Sequence, residues 1–227
     1  MTVILLLARS FVRQNRWLLF IFLLWPLVLG AFVWFPHHTA TAADVLEIVQ
    51  QEILYGLVIV TFLASSAIHN EKRSRRILGV LSKAVGRTQY LLGFLTGATW
   101  FAAIYFGMMY VSVLWLLGFS IATKGGLALC FNGMIAAIWA VSLSLLLSTF
   151  AYPFIAAMLA GAAALAPMLL ANTHPILAPV ASLIRNSESF SGTAMPGLIA
   201  IALLESAGFL VIGEQLFTRR DVTANLE

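Results

Sequence analysis

The chain has little charge. Only 10% of its 227 residues are Asp, Glu, Lys or Arg, while 61% are hydrophobic, against roughly 25% charged in an average soluble domain. A water-soluble fold of this size has too few charges to cover so much apolar surface, and that class is excluded. There is one cysteine, Cys130, inside an apolar run. It forms no internal disulfide, and no Cys/His cluster indicates a structural metal. The sequence lacks H-E-x-x-H, G-x-S-x-G and G-x-x-x-x-G-K-[ST]. The first two absences remove common hydrolase chemistries. The third means that the chain does not hydrolyse ATP through a P-loop of its own, so any uphill work draws on a partner or an ion gradient.

What is present is a series of apolar runs, each long enough for a bilayer core of about 30 Å. Six are marked, at about 17–35, 52–68, 91–120, 127–149, 154–172 and 197–217. The fold class expected is all-α: a single polytopic membrane domain, 1–227, with six transmembrane helices. The run Trp17 to Phe35 is followed by Ala40-x-Ala42, a pattern open to signal peptidase. Nineteen apolar residues exceed a typical signal core, so a retained span is expected.

Charge placement orients these spans. With the N-terminus inside, the inner segments hold Arg9, Arg13, Arg16, Lys72, Arg73, Arg75, Arg76, Lys83, Arg87, Arg219 and Arg220, eleven positive charges in all; outside are Lys124 and Arg185. The bias is positive-inside, and an even number of spans puts both termini in the cytoplasm. The formal charge of +4 thus follows topology and does not indicate a nucleic-acid partner. The first outer loop, Pro36 to Gln51, carries Asp44 and Glu47.

Ahead of span one, Arg9, Arg13 and Arg16 share a helical face. This pattern fits a basic amphipathic helix in the cytoplasmic interface or, alternatively, a simple extension of span one. Between spans five and six, Ile176, Leu177, Val180, Leu183 and Ile184 recur at helical spacing, which predicts a short outer helical segment. Trp17, Trp34, Phe35 and Tyr152 stand at span ends as interfacial anchors. Pro26 and Pro167 are candidate kinks.

Three features inside the apolar runs are open to more than one reading. Glu205, in "LIAIALLESAGFLVIG", is the clear intramembrane charge. It is a candidate for a translocation pathway or, alternatively, a carboxyl hydrogen-bonded to a neighbouring helix. Asn132, Ser142, Ser144 and Ser148 form a polar series suited to bonding between helices. Gly93-x-x-x-Gly97, and Gly161 with its neighbouring alanines, permit close helix approach.

The segment "IHNEKRSRRILGVLSKAVGRTQYLLG", 68–93, gathers six of the thirteen Lys and Arg residues. Ile77, Leu81 and Ala84 make an apolar stripe, with Leu78 and Val85 beside it and Arg76, Lys83 and Arg87 off it. A short cytoplasmic amphipathic helix ending near Gly86 is predicted, with a Glu71–Arg75 pair at i, i+4 steadying its first turn. Topology and anionic headgroups explain the charge. A cytoplasmic protein partner explains the charge and the stripe together, the apolar residues entering a groove and the basic ones lying at its rim.

This segment resembles the ABC-2 type permeases, the membrane subunits of certain ATP-binding-cassette exporters. In that family a glutamate after span two precedes a basic and polar stretch, an apolar pair, and Leu-Ser-x-Pro-Val-x-Arg-x-x-(Tyr/Phe)-Leu-Leu-Gly-Lys. Glu71, Leu81, Ser82, Val85, Arg87, Tyr90, Leu91, Leu92 and Gly93 match. Ala84 stands where proline is common and Phe94 where lysine is common; Ser74 and Arg75 replace a Gly-Thr pair. The N-terminal helix, the six spans and the outer helical segment follow the same layout.

The resemblance implies that Glu71, Arg75, Arg76, Ile77, Leu78, Leu81, Ser82 and Arg87 form a coupling helix docked on a separate P-loop ATPase subunit. A second permease copy or a related permease would complete the assembly. The chain itself binds no cofactor and is no enzyme, ATP and magnesium residing on the partner. The expected location is the plasma membrane, a bacterial inner membrane. The alternatives from other classes are a stand-alone proton-coupled secondary transporter using Glu205 and a non-transport membrane assembly protein.

Overall fold

A computed structural model describes residues 2–37, 42–73, 86–117, 119–169, 178–186 and 196–219. These residues form α1 (Thr2–Gln14), α2 (Arg16–His37), α3 (Ala42–Arg73), α4 (Arg87–Leu117), α5 (Phe119–Ser148), α6 (Pro153–Leu165), a 3-10 turn (Ala166–Leu169), α7 (Pro179–Asn186) and α8 (Pro196–Arg219). There is no strand among the described residues.

Among the described residues four helical segments are long and apolar enough to cross a membrane: Ile48–Asn70, Arg87–Leu116, Gly126–Ser148 and Pro196–Phe217. A fifth appears if Val3–Gln14 and Arg16–Phe32, bent by 72° at their junction, count as one span. The α-helix in the fifth apolar run is short, Pro153–Leu165. It opens on extended Tyr152 with Pro153 at its first position, where a missing N–H costs nothing. Pro167, in the turn that follows, cannot continue the α-helical ladder.

The second apolar run is longer as a helix than its hydropathy indicates. A span at 52–68 after a loop reaching Gln51 is expected, yet α3 begins at Ala42. Its added turns place Val45 and Val49 on the face of Ile53, at i, i+4 and i+8, and all three are buried. That packing makes helix of a stretch whose charges, Asp44 and Glu47, point to a loop.

Helices α3, α4 and α5 pack together at the centre; α1 and α2 lie on α4, α6 on α3, and α7 and α8 on α5. The largest buried side chains include Tyr90, Phe101, Tyr105 and Phe106 of α4, Ile53, Leu57 and Ile68 of α3, and Leu129 and Leu145 of α5. The spanning window of α5 is 67% buried and that of α8 only 17%. Helix α8 is therefore peripheral, with Leu204, Val211 and Ile212 exposed.

Hydroxyls within this apolar core are satisfied by the preceding helical turn. Thr61 donates to Leu57 O at 2.5 Å, Ser65 to Phe62 O at 2.9 Å, Ser112 to Met109 O at 2.8 Å and Ser206 to Ala202 O at 2.7 Å. Such back-bonding lets polar residues sit where no water reaches them. Of the polar series on α5, Ser144 reaches across to Thr61 O of α3 at 2.9 Å, and Asn132 lies 3.5 Å from Leu183 O of α7. Ser142 and Ser148 bond within α5.

The two small-residue stretches differ in use. Gly93 and Gly97 receive Leu7 and Phe11 of α1: a Cβ at either would come within 2.6 Å and 2.8 Å of those side chains. Gly161, expected to serve a similar approach, would meet nothing within 4 Å. On α6 the buried stripe is Ala156, Ala160 and Ala164, and Gly161 lies off it.

Candidate functional site

Residues 74–85 lie outside the described residues. The expected coupling-helix residues Arg75, Arg76, Ile77, Leu78, Leu81 and Ser82 all fall there. Glu71 belongs to the last turn of α3, which ends at Arg73. Arg87, the first residue of α4, is the member whose side chain has described contacts.

Those contacts fasten the foot of the charged segment to the end of α8. Gly86 opens α4 by accepting the Tyr90 N–H at 3.0 Å. Arg87 Nη1 donates to Phe217 O at 3.2 Å, and the guanidinium carbon lies 5.8 Å from the centre of the Phe217 ring. Phe217 is in the final turn of α8, where carbonyls lack partners within the helix and the helix dipole favours a cation. The Tyr90 ring stacks on Phe217, centroids 6.2 Å apart and planes 3° from parallel. The Thr88 hydroxyl donates to Glu214, one turn back along α8. Two helices far apart in the chain, Arg87 and Phe217 being 130 residues apart, thus meet through one charge-assisted bond, one neutral donor on a carboxylate, and a ring stack.

Glu205, the candidate for a translocation pathway, is hydrogen-bonded to a neighbouring helix. Trp139 Nε1 of α5 donates to Glu205 Oε2 at 2.6 Å. Phe209, four residues further along α8, meets the Trp139 ring edge to face at 5.5 Å. Trp139 is buried and Glu205 is half-buried. This geometry ties α8 to α5, the hydrogen-bonded alternative for an intramembrane carboxyl.

Glu52, the first residue of the second apolar run, is buried more deeply than Glu205. Glu52 is fully buried, because α3 starts ten residues before it. Neither of its carboxyl oxygens has a hydrogen-bond partner among the described residues. Its carbonyl accepts the Tyr105 hydroxyl at 2.8 Å. Tyr105 lies over Gly56, where a Cβ would come within 2.5 Å of its ring, and Phe22 and Phe106 contact that ring edge to face. Cys130 Sγ donates to Phe106 O at 3.1 Å nearby. The available signal was the helical recurrence of Val45, Val49 and Ile53, which extends the buried face past Glu52.

Among the described residues no group of three His, Cys, Asp or Glu side chains could hold a metal ion. No protein-family model matches the chain, and no curated protein matches it significantly.

Proposed function

We propose that this chain is the membrane subunit of an ABC-2 type exporter, moving a substrate across the membrane at the expense of ATP hydrolysed by a separate P-loop ATPase. The observation that carries the reading is the fastening of Arg87 and Thr88 to Phe217 and Glu214, at the foot of the segment whose motif resembles that family. A partner holding residues 74–85 would act on α4 directly and on α8 through this clamp. Closure of an ATPase pair would then move the outer helix α8 against the buried α5, a rigid-body change of the kind that switches access across a membrane.

In this reading Ile77, Leu78 and Leu81 enter the ATPase groove. Glu71, Arg75, Arg76 and Ser82 line its rim, and Arg87 transmits the motion. ATP and magnesium belong to the ATPase subunit. The chain pairs with a second copy or a related permease and spans a bacterial inner membrane six times, both termini cytoplasmic. The sparse burial of α8 supports the pairing, since its exposed apolar face is available to lipid or to another permease.

A second reading, a proton-coupled carrier working without ATP, draws support from one observation: the buried Glu52 carboxyl has no hydrogen-bond partner among the described residues. Its intramembrane carboxyl would then be Glu52, Glu205 being held by Trp139. Purification of the tagged chain from its native membranes separates the two. Retention of a P-loop ATPase in stoichiometric amount, with ATP-dependent transport after reconstitution, supports the exporter. A chain that purifies alone and transports down a pH gradient without ATP overturns it.

A further inference from the structure

The bend between α1 and α2 forms a basic hollow that neither the clamp nor the buried carboxyls use. Ser10, Arg13, Gln14, Arg16 and Trp17 line an open space of about 620 Å³ there. Ser10, Arg13, Gln14 and Trp17 follow one another at helical spacing, and the 72° turn brings the start of α2 against the end of α1. The opposite face of α1 is fixed: Ala8 and Phe11 are buried, and Leu7 and Phe11 sit on Gly93 and Gly97. Helix α1 therefore cannot roll to hide its arginines.

Two guanidinium groups thus face one space without neutralisation from their own elements. No Asp or Glu precedes Asp44 in the chain, and α4, on which both helices rest, contains neither residue. Arg16 lies over the Trp17 ring, 5.6 Å from its centre, and Trp17 is 72% exposed. Ser10 and Gln14 add neutral donors. Forked guanidinium groups backed by a hydroxyl and an amide suit the oxygens of a phosphate ester.

The surface below the hollow selects the kind of phosphate. Along α2, Trp17, Phe20, Ile21 and Leu24 are all exposed, at i, i+3, i+4 and i+7, so an apolar stripe runs away from the arginines. A tryptophan at the junction of a basic and an apolar surface is the arrangement found at the headgroup level of membranes. We propose that the α1–α2 elbow is a binding site for an anionic phospholipid, its phosphate held by Arg13 and Arg16 and its acyl chains lying along the α2 stripe. Free inorganic phosphate would satisfy the arginines and leave the stripe unused. The inference rests on the membrane reading alone, so it survives or fails independently of any ATPase.

The test is native mass spectrometry of the full chain with phosphatidylglycerol, cardiolipin, phosphatidylcholine or inorganic phosphate added. Wild type is expected to retain phosphatidylglycerol or cardiolipin in preference to phosphatidylcholine. R13Q/R16Q should weaken that binding on the order of 30-fold, whereas Arg9→Gln, outside the hollow, should weaken it by less than either R13Q or R16Q alone. R13K/R16K keeps the charge and should retain most of the anionic preference. A matching helical circular-dichroism signal shows that the Gln variants fold; if the double variant does not, R13Q and R16Q singly must each weaken binding. Equal retention of anionic and zwitterionic lipid, undiminished binding in the folded Gln variants, or displacement of the lipid by millimolar phosphate overturns the proposal.

Discussion

Leu7 lies so close over Gly93 that a Cβ on the glycine would come within 2.6 Å of the Leu7 Cβ. The obstructing atom is fixed to the α1 backbone, so relief requires α1 to move as a whole. Gly93→Ala is therefore expected to lower thermal stability in detergent by about 2 kcal/mol, as overpacking of a filled contact does. Gly97→Ala, which meets the Phe11 ring at 2.8 Å, should behave similarly. Gly107→Ala meets nothing within 4 Å and should be neutral or gain up to about 1 kcal/mol from helix propensity. Equal effects at Gly93 and Gly107 would remove the α1–α4 contact from the account.

The bond from Trp139 to Glu205 is predicted to hold helices together. Trp139→Phe should destabilise by about 1 kcal/mol, the scale of hydrogen bonds between helices in membranes. Glu205→Gln keeps an acceptor oxygen and should stay near wild type in both stability and transport. Glu205→Leu should match Trp139→Phe, and the double substitution should cost little more than either alone, which a double-mutant cycle of unfolding measures. A well-folded Glu205→Gln that no longer transports would instead place this carboxylate in the translocation pathway.

Among the described residues the Glu52 carboxyl has no hydrogen-bond partner to lose. Burying a polar group without hydrogen bonds costs stability, so Glu52→Leu is expected to leave thermal unfolding unchanged or raised. Tyr105→Phe, which removes the 2.8 Å bond to the Glu52 carbonyl, should lower it by about 1 kcal/mol. A loss greater than about 2 kcal/mol in Glu52→Leu would mean that the carboxyl is bound to something beyond the described residues. Loss of ATP-independent transport in a stable Glu52→Gln would favour the proton-coupled reading.

The sequence made the helical class and its apolar helices legible, because hydropathy is additive along a run and needs no knowledge of neighbours. Gly93 and Gly97 were legible as a site of close approach, but the helix that approaches them was not: Leu7 and Phe11 are some 86 residues away in the chain, and nothing local pairs them. The donor to Glu205 was not legible for the same reason, Trp139 standing 66 residues earlier. The burial of Glu52 was not legible, because polar residues ahead of it mark a loop by composition, while tertiary burial of Val45 and Val49 makes that stretch helix. The Arg87 clamp depends on the end of α8, so the loop motif alone does not reveal it. The interior of that motif, 74–85, lies outside the described residues, and its role rests on the stripe and the resemblance.

In the proposed exporter, Leu81 and its neighbours would seat this chain on an ATPase. The direct measurement is the amount of P-loop ATPase retained by the purified chain, together with the ATP-hydrolysis rate of the complex, for wild type and Leu81→Asp at equal membrane insertion. Wild type is expected to show stoichiometric retention and hydrolysis, and Leu81→Asp at least a tenfold loss of both, as when a charge is forced into an apolar groove. Equal retention by the two proteins, or none by wild type, would contradict that seating.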